Sequence, residues 1–263
     1  MNKICVIAKN KSTYFIKRLI EEVGQIVVFD PWSDFEFPEA EKYIVRTTGI
    51  YRNDLDLMML KSLPKEKVIN PVEVLTRFRT KPSQYQWFEE NSFPSLPWIP
   101  VKGTDLVTIE KFFRLYPEAV VKPFAGQGGW GIEALTWEKF KSWKKKKGAD
   151  EDYLLQPLIK DATELRYFFL KGSAPVVLKR NAKTGIAANF QRQGGAEKFL
   201  LPIEFEKEVD EVIVKSGALY GAMDLLIKDA RLIILELNSV PGIEQLEAVS
   251  GSNIISELVR NLT

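Results

Sequence analysis

Arg231-Leu-Ile-Ile-Leu-Glu236-Leu-Asn238-Ser239-Val240-Pro241-Gly242 is the stretch on which the reading of this chain turns. A short apolar run rich in Ile and Leu reads as a buried strand, and side chains two apart on a strand share a face. Glu236 and Asn238 therefore point the same way from a strand that should otherwise be dry. Burying an unpaired carboxylate costs several kcal/mol, so something cationic belongs over them. The preceding run, Tyr220-Gly-Ala-Met-Asp224-Leu-Leu-Ile227, is a second strand, and Lys228-Asp229-Ala230 is a short turn. Paired as a hairpin, the two strands set Asp224 roughly opposite Ile234 and diagonal to Glu236, where side chains about 7–8 Å apart reach one another or a shared ion. Asp224, Glu236 and Asn238 then supply hard oxygen ligands for Mg²⁺, with room left for waters and phosphates. The competing reading is an acidic pair answering a nearby Arg or Lys, and for an isolated motif of this kind it is the better one.

Composition narrows the chemistry. The 263 residues suffice for one large domain or two or three small lobes. With 37 basic and 35 acidic residues the net charge is +2, which makes no electrostatic case for nucleic acid. The single cysteine, Cys5, has no partner for an internal disulfide and reads as a small buried residue. No signal peptide and no long apolar span are evident, so the expectation is a cytoplasmic protein without a membrane segment. There is no histidine. That excludes Ser-His-Asp and Cys-His catalysis, zincin sites and the protein-kinase catalytic loop. What remains is carboxylates, Lys, Arg, backbone amides and a cofactor or metal.

Along the chain, residues 1–70 alternate strand and helix. Strands are expected at Lys3–Ala8, Gln25–Phe29, Tyr43–Thr47 and Lys67–Asn70, and helices at Tyr14–Val23 and Leu55–Leu63. This is the pattern of a small parallel sheet covered by helices, without a dinucleotide loop after its first strand. The acidic loop from Asp30 to Glu41, with Trp32, Phe35 and Phe37, reads as a loop folded on its own aromatics, a partner surface being the alternative. Asn70-Pro71 marks a boundary, followed by a helix near Pro82–Asn91 and a proline-rich connector to Pro100. Next come a strand (Ala119–Lys122), a glycine loop, a strand (Ile132–Leu135), a helix (Trp137–Lys147) and a strand (Tyr153–Gln156). Trp137, Phe140 and Trp143 form the apolar stripe of that helix, and Lys144–Lys147 its solvated end. From Leu165 the strands turn antiparallel, with a hairpin at Lys171-Gly172, a polar loop from Asn181 to Gly195, a helix at Glu204–Ser216 and a final amphipathic helix through Ile254, Ile255, Leu258, Val259 and Leu262.

Gly126-Gln127-Gly128-Gly129-Trp130-Gly131 matches GxGxxG by letter, and its context decides what it is. A dinucleotide loop opens into a helix, whereas Ile132–Leu135 looks like a strand. A kinase loop needs a later lysine strand and a D-F-G, and a Walker loop needs Gly-Lys-Ser/Thr. What is left is a glycine flap between two strands, with Lys122 on the strand leading in. Backbone amides freed by glycine cradle phosphate oxygens, and Lys122 adds a point charge.

In this order, Asn70-Pro71 with Arg79-Thr-Lys81, Val121-Lys122-Pro-Phe-Ala-Gly126 with its flap, Glu164-Leu-Arg166 with Lys179-Arg180 and Asn189 to Gly195, and Asp224 with Glu236-Leu-Asn238-Ser239-Val-Pro-Gly242 resemble the ATP-grasp ligases of the RimK-type and prokaryotic glutathione synthetase branch. The resemblance runs from about residue 43 to the C-terminus. It implies an ATP-grasp fold, two α+β lobes clamping ATP, preceded by a small Rossmann-like parallel α/β domain. The implied division is residues 1–72, a lid with the glycine flap over 73–160, and a C-terminal part with the Mg²⁺ site over 161–263. It assigns Lys81 and Lys122 to the nucleotide phosphates, and Gly126, Gln127, Gly128, Gly129 and Trp130 to the flap. Gln156-Pro157-Leu158-Ile159 becomes the adenine hinge and Glu164 the ribose acid. The family usually has Glu where Pro157 stands, but proline keeps the backbone carbonyl that adenine needs. Trp130 is bulky where small residues are common. Arg166 and Arg180 resemble the arginines that hold the transferring phosphate and the acyl oxygen. Asn189, Arg192, Gly194, Gly195, Ser239 and Gly242 resemble the loops facing phosphate and substrate, and Asp224, Glu236 and Asn238 the ligands of Mg²⁺, with Mn²⁺ as a substitute.

The chemistry so implied is a carboxylate–amine ligation through an acyl phosphate, with release of ADP and phosphate. Its substrates would be an amino acid, a peptide or a carrier protein, in a homodimer of the kind the family often forms. Arg46 could reach a substrate carboxylate, a structural ion pair being at least as good a reading. Lys183 and Arg192 hint at an anionic acceptor, though ATP explains the same charges. Two alternatives remain. One is a phosphotransferase acting on a hydroxyl compound, which needs no amine. The other is a non-catalytic ATP-binding module.

Overall fold

The computed structural model describes residues 2–34, 36–47, 54–126, 129, 131–147, 152–180 and 195–262. Its first unit is a parallel sheet in the order β2-β1-β3-β4, built from β1 (Asn2–Ile7), β2 (Val27–Phe29), β3 (Ala40–Val45) and β4 (Val68–Ile69). Helices α1 (Tyr14–Val23) and α2 (Asp54–Ser62) make the crossovers that parallel strands require. Cys5 is wholly buried here beside Ile7 and Val45. In the Asp30–Glu41 loop, Phe37 packs edge-on to Phe29 of β2 at 5.0 Å and stacks on Tyr43 of β3 at 5.2 Å, so this ring rests on the flanking strands rather than on the other loop aromatics.

The second unit is antiparallel, in the order β5-β8-β6-β7: β5 (Ile99–Pro100), β6 (Glu118–Pro123), β7 (Glu133–Thr136) and β8 (Tyr153–Pro157). Helix α5 (Leu106–Leu115) and helix α6 (Trp137–Lys147) bury Ile109, Phe112, Phe113, Phe140 and Trp143 against it. The stripe read from the sequence holds, with Trp137, Phe140 and Trp143 stacked in series.

The third sheet runs β11-β10-β9-β12-β13, from β9 (Thr163–Leu170), β10 (Val176–Arg180), β11 (Ala196–Lys198), β12 (Tyr220–Lys228) and β13 (Arg231–Asn238). One face carries Leu165, Tyr167, Phe169, Met223, Leu225 and Leu237. It is covered by α7 (Ile203–Ser216) and by α3 (Val72–Arg77) and α4 (Lys81–Glu90). Helix α4, grouped with the flap lobe in the sequence reading, thus packs on this sheet. At about 1.5–3 kcal/mol for each fully buried large apolar side chain, Tyr85 and Phe88, both wholly buried, anchor it there.

The opposite face is divided. At one end Phe168, Leu170, Leu178, Tyr220 and Ala222 meet α1, β1, α8 (Glu244–Ser250) and α9 (Ile254–Leu262) in a continuous core. At the other end the same strands turn charged, and the ATP-grasp arrangement expected from the sequence places that end toward the flap sheet.

Candidate active site

The charged end is assembled by register. Asp229 and Ala230 both have positive φ, 51° and 56°, the mark of a two-residue hairpin turn of the kind that matches strand twist. The turn pairs Lys228 with Arg231, and continuing that register would set Leu235 across from Asp224. A β-bulge between Asp224 and Leu225 intervenes, so that Asp224 faces Glu236 and Ala222 faces Asn238. The expected placement of Asp224 opposite Ile234 is thus corrected by two residues, one from the two-residue turn that pairs Lys228 with Arg231 and one from the bulge. Because side chains alternate with a period of two, the bulge also decides the face: without it Glu236 and Asn238 would point away from Asp224. Gly221 allows the close fit beside them, since a Cβ there would lie 2.8 Å from Phe169 Cζ and 3.0 Å from the Asn238 carbonyl.

One rung across the sheet now reads Leu178, Arg166, Asp224, Glu236, and the next carries Arg180 and Glu164. Arg166 Nη1 donates to both Asp224 oxygens, at 3.0 and 3.3 Å. Arg180 Nη1 donates to Glu164 at 3.1 Å, and its Nη2 lies 3.6 Å from Asp224 Oδ1. Burial opposes the charge of Arg180, but Asp224 and Glu164 outweigh it and hold its pKa above the ordinary value. Lys81, at the first turn of α4, sits 3.7 Å from Glu236 Oε2. Its amide donates to the Phe124 carbonyl at 2.9 Å, which ties α4 to the base of the flap. Lys122 Nζ donates to Gln156 Oε1 at 2.8 Å. Burial and then the neighbouring Lys81 pull its pKa down to about 8. Four cations thus meet three carboxylates in a desolvated setting, and the surplus of positive charge fits a polyanion.

Of the flap, Gly129 and Gly131 have φ of 77° and 71°, a region glycine enters without strain. Gly126 lines a cleft with Lys81, Glu236, Asn238 and Ser239, and Thr47 and Arg79 belong to the same lining. Gln127, Gly128 and Trp130, and the loop residues Lys183, Asn189, Arg192 and Gly194, lie outside the described residues. Gly195 precedes β11 and is exposed, as is Gly242. The segment expected to form the hinge begins with Gln156, whose wholly buried side chain points inward to Lys122. Pro157 pairs with Ala119 and the Leu158 amide donates to Glu118, while Ile159 packs against Leu96, Leu226 and Leu235. Arg46 faces neither a carboxylate nor the cleft lining among the described residues. It donates to the Pro241 carbonyl at 3.0 Å and lies 4.3 Å from the Phe15 ring centre.

Sequence reasoning missed Asn70, Gln84 and Tyr85 as site-building residues. Asn70 is wholly buried. Its carboxamide accepts from the Leu219 and Tyr220 amides and donates to the Tyr220 and Ser239 carbonyls. It thereby staples the start of β12 to the end of β13. Its place before Pro71 was visible, but its partners are about 150 residues away in sequence and leave no local signal.

The donor set suits a hard divalent ion. Among the described residues no three Asp, Glu, His or Cys side chains form a cage, so Asp224, Glu236 and the Asn238 carboxamide would be completed by phosphate oxygens and water.

Residues 95–262 match the RimK-like ATP-grasp domain family. A tetrahydromethanopterin:alpha-L-glutamate ligase of Methanocaldococcus jannaschii is 27% identical over 206 residues, 74% of this chain and 69% of that one. Matches to probable alpha-L-glutamate ligases of Thioalkalivibrio sulfidiphilus and Histophilus somni span 38% and 57% of those relatives. Among solved structures, the ATP-grasp ligase PsnB complexed with minimal precursor, Mg and ADP superposes with a TM-score of 0.73 at 15% identity, covering 98% of this chain and 96% of that one. The macrocyclase MdnC bound with precursor peptide MdnA, from Microcystis aeruginosa MRC, gives 0.73 at 17% identity over 98% and 99%. No helix among the described residues is long and apolar enough to cross a membrane.

Proposed function

The chain belongs to the RimK-like ATP-grasp family of ATP-dependent ligases, and on that footing we propose that it joins a carboxylate to an amine through an acyl phosphate. The observation that carries the reading is the Asp224–Glu236 pair with Arg166, Arg180, Lys81 and Lys122 around it, of which Glu236 and Lys81 also line the cleft. Such a set handles phosphate and carboxylate charge, and the reaction needs no side-chain nucleophile because the substrate carboxylate supplies one.

A substrate carboxylate oxygen attacks the γ-phosphorus of ATP, and the bond to the β-bridging oxygen breaks to give ADP. An amine then attacks the acyl carbon, loses a proton and expels phosphate. Lys81 and Lys122 bind the phosphates. Arg166 and Arg180 offset charge on the phosphoryl group and then on the acyl oxygen, where one such donor is worth ~10²–10³ in rate. Asp224, Glu236 and Asn238 would hold Mg²⁺, which would supply charge neutralisation at the phosphates. The flap from Gly126 to Gly131 excludes the water that would hydrolyse the acyl phosphate. The Gln156–Ile159 hinge takes adenine and Glu164 the ribose. Gly195, Ser239 and Gly242, together with Asn189, Arg192 and Gly194, border phosphate and substrate.

The names of the relatives support an amino acid or peptide as substrate, in the cytoplasm where ATP is plentiful. The test is Mg²⁺-dependent ATP cleavage with pools of amino acids and acidic peptides. ADP and phosphate released by one carboxylate–amine pair, with a new amide-linked mass, establish the ligation. A stable phosphorylated product without an amine would replace it with phosphotransfer, and tight ATP binding without stimulated cleavage by any pool would count for a binding module.

A further inference from the structure

The bulge that turns Glu236 into the site lies on an edge strand, and helix α4 takes up the backbone groups on its outer side. The Tyr85 hydroxyl donates to the Leu235 carbonyl at 2.9 Å, and Gln84 Oε1 accepts from the Leu237 amide at 2.9 Å. The two bonds bracket Glu236 on either side. Gln84 and Tyr85 are 2% and 0% exposed, so their polar atoms need partners, and phenylalanine or methionine would fill such space as well. The Tyr85 phenol, raised well above its ordinary pKa by burial and then by Glu236, stays a donor. A third outward group, the Ile234 amide, donates to the Pro94 carbonyl at 2.7 Å. A slip of one residue turns every side chain of a strand to its other face, and here it would carry both proposed ligands to the wrong face.

We propose that Tyr85 and Gln84 are positioning residues that lock the bulged register of β13 and so hold Glu236 and Asn238 toward a divalent cation. This rests on the ligand reading given above.

Tyr85→Phe keeps the ring and removes only the hydroxyl. With the protein saturated by a non-hydrolysable ATP analogue, Mn²⁺ is titrated and the free ion read by its electron paramagnetic resonance. The dissociation constant for Mn²⁺ should rise about 3- to 10-fold, the equivalent of one hydrogen bond, while metal-free affinity for the analogue changes less than about twofold. In a Glu236→Gln background, Tyr85→Phe should add little further, because the hydroxyl acts through Glu236. Equal losses in both backgrounds, or Mn²⁺ affinity unchanged by Tyr85→Phe, overturn the inference. Should that variant fail to fold by circular dichroism, Gln84→Met carries the same test through the other bond. Wild-type protein that ignores Mn²⁺, or whose Mn²⁺ affinity survives Glu236→Gln, overturns the metal reading itself, so the two failures are told apart.

Discussion

Between about pH 7 and about pH 10 the wild-type chain should gain stability relative to a Lys122→Met variant. Lys122 is 8% exposed, and burial, then Lys81, lower its pKa from 10.5 to about 8. The unfolded chain keeps the ordinary value. Below pH 8 both states hold the proton and the buried charge is a full burden on the fold. Between 8 and 10.5 the unfolded state is still protonated while the folded state has released its proton, so stability rises with pH. At about 1.4 kcal/mol for each tenfold change in proton affinity, the whole window is worth about 3 kcal/mol, of which about 2 falls below pH 10. Subtracting the variant's urea-unfolding free energy at each pH removes the share of every group the two proteins have in common. Nucleotide affinity should move the other way, since the phosphates need the protonated amine: binding of a non-hydrolysable ATP analogue weakens above pH 8 in the wild type more than in the variant. A wild-type-minus-variant stability that is flat with pH, or falls, refutes the reasoning.

Three further outcomes follow from the same geometry. Glu236→Gln should cut turnover by ~10²–10³ with the circular dichroism spectrum unchanged, and full activity in a steady-state assay would remove Glu236 from the site. Gly221→Ala drives a Cβ into Phe169 and the Asn238 carbonyl. Overpacking of this kind costs about 1–3 kcal/mol, read by scanning calorimetry as a lower Tm, and an unchanged Tm would mean the ring simply moves aside. Asn70→Ala strips four backbone groups, three of them in buried bonds, of their partner. At about 1–3 kcal/mol for each group left unsatisfied, less what water recovers, the loss in a urea titration should be about 3 kcal/mol or more, and one near zero would show the staple to be dispensable.

Elements with strong local patterning were legible. The helices Tyr14–Val23 and Trp137–Lys147 have the bounds their apolar spacing gives, and β12 and β13 lie where two apolar runs flank a turn. Helix α5 was legible too, although the sequence reading passes over it. Asp105 caps it by accepting from the Thr108 amide, and Ile109, Phe112 and Phe113 recur at helical spacing. Helices α3 and α8 are only 6 and 7 residues long, too short for periodicity to declare them. The bulge could not be read, because it inserts a residue without changing the apolar pattern on either side. For the same reason the types of the site residues were apparent while their pairing was not: Asp224 and Glu236 could be nominated from sequence, but their being directly opposite depends on Leu235 standing outside the ladder.

The stretch that the family shares, residues 95–262, is not a portable module. It begins after Asn70, which stitches two of its strands together, and after α4, which brings Lys81, Gln84 and Tyr85 to its edge. Cutting the chain at either place would also uncover Phe168, Leu170, Leu178 and Ala222, which now share a core with α1 and β1. A gene fusion or domain swap drawn along the line of shared sequence would therefore inherit Asp224, Glu236 and Asn238, the proposed metal ligands, without the scaffold that aims them, and with a greasy flank left bare. A transplant would have to carry the N-terminal sheet as well, since α1 and β1 are part of the same folded body as the site.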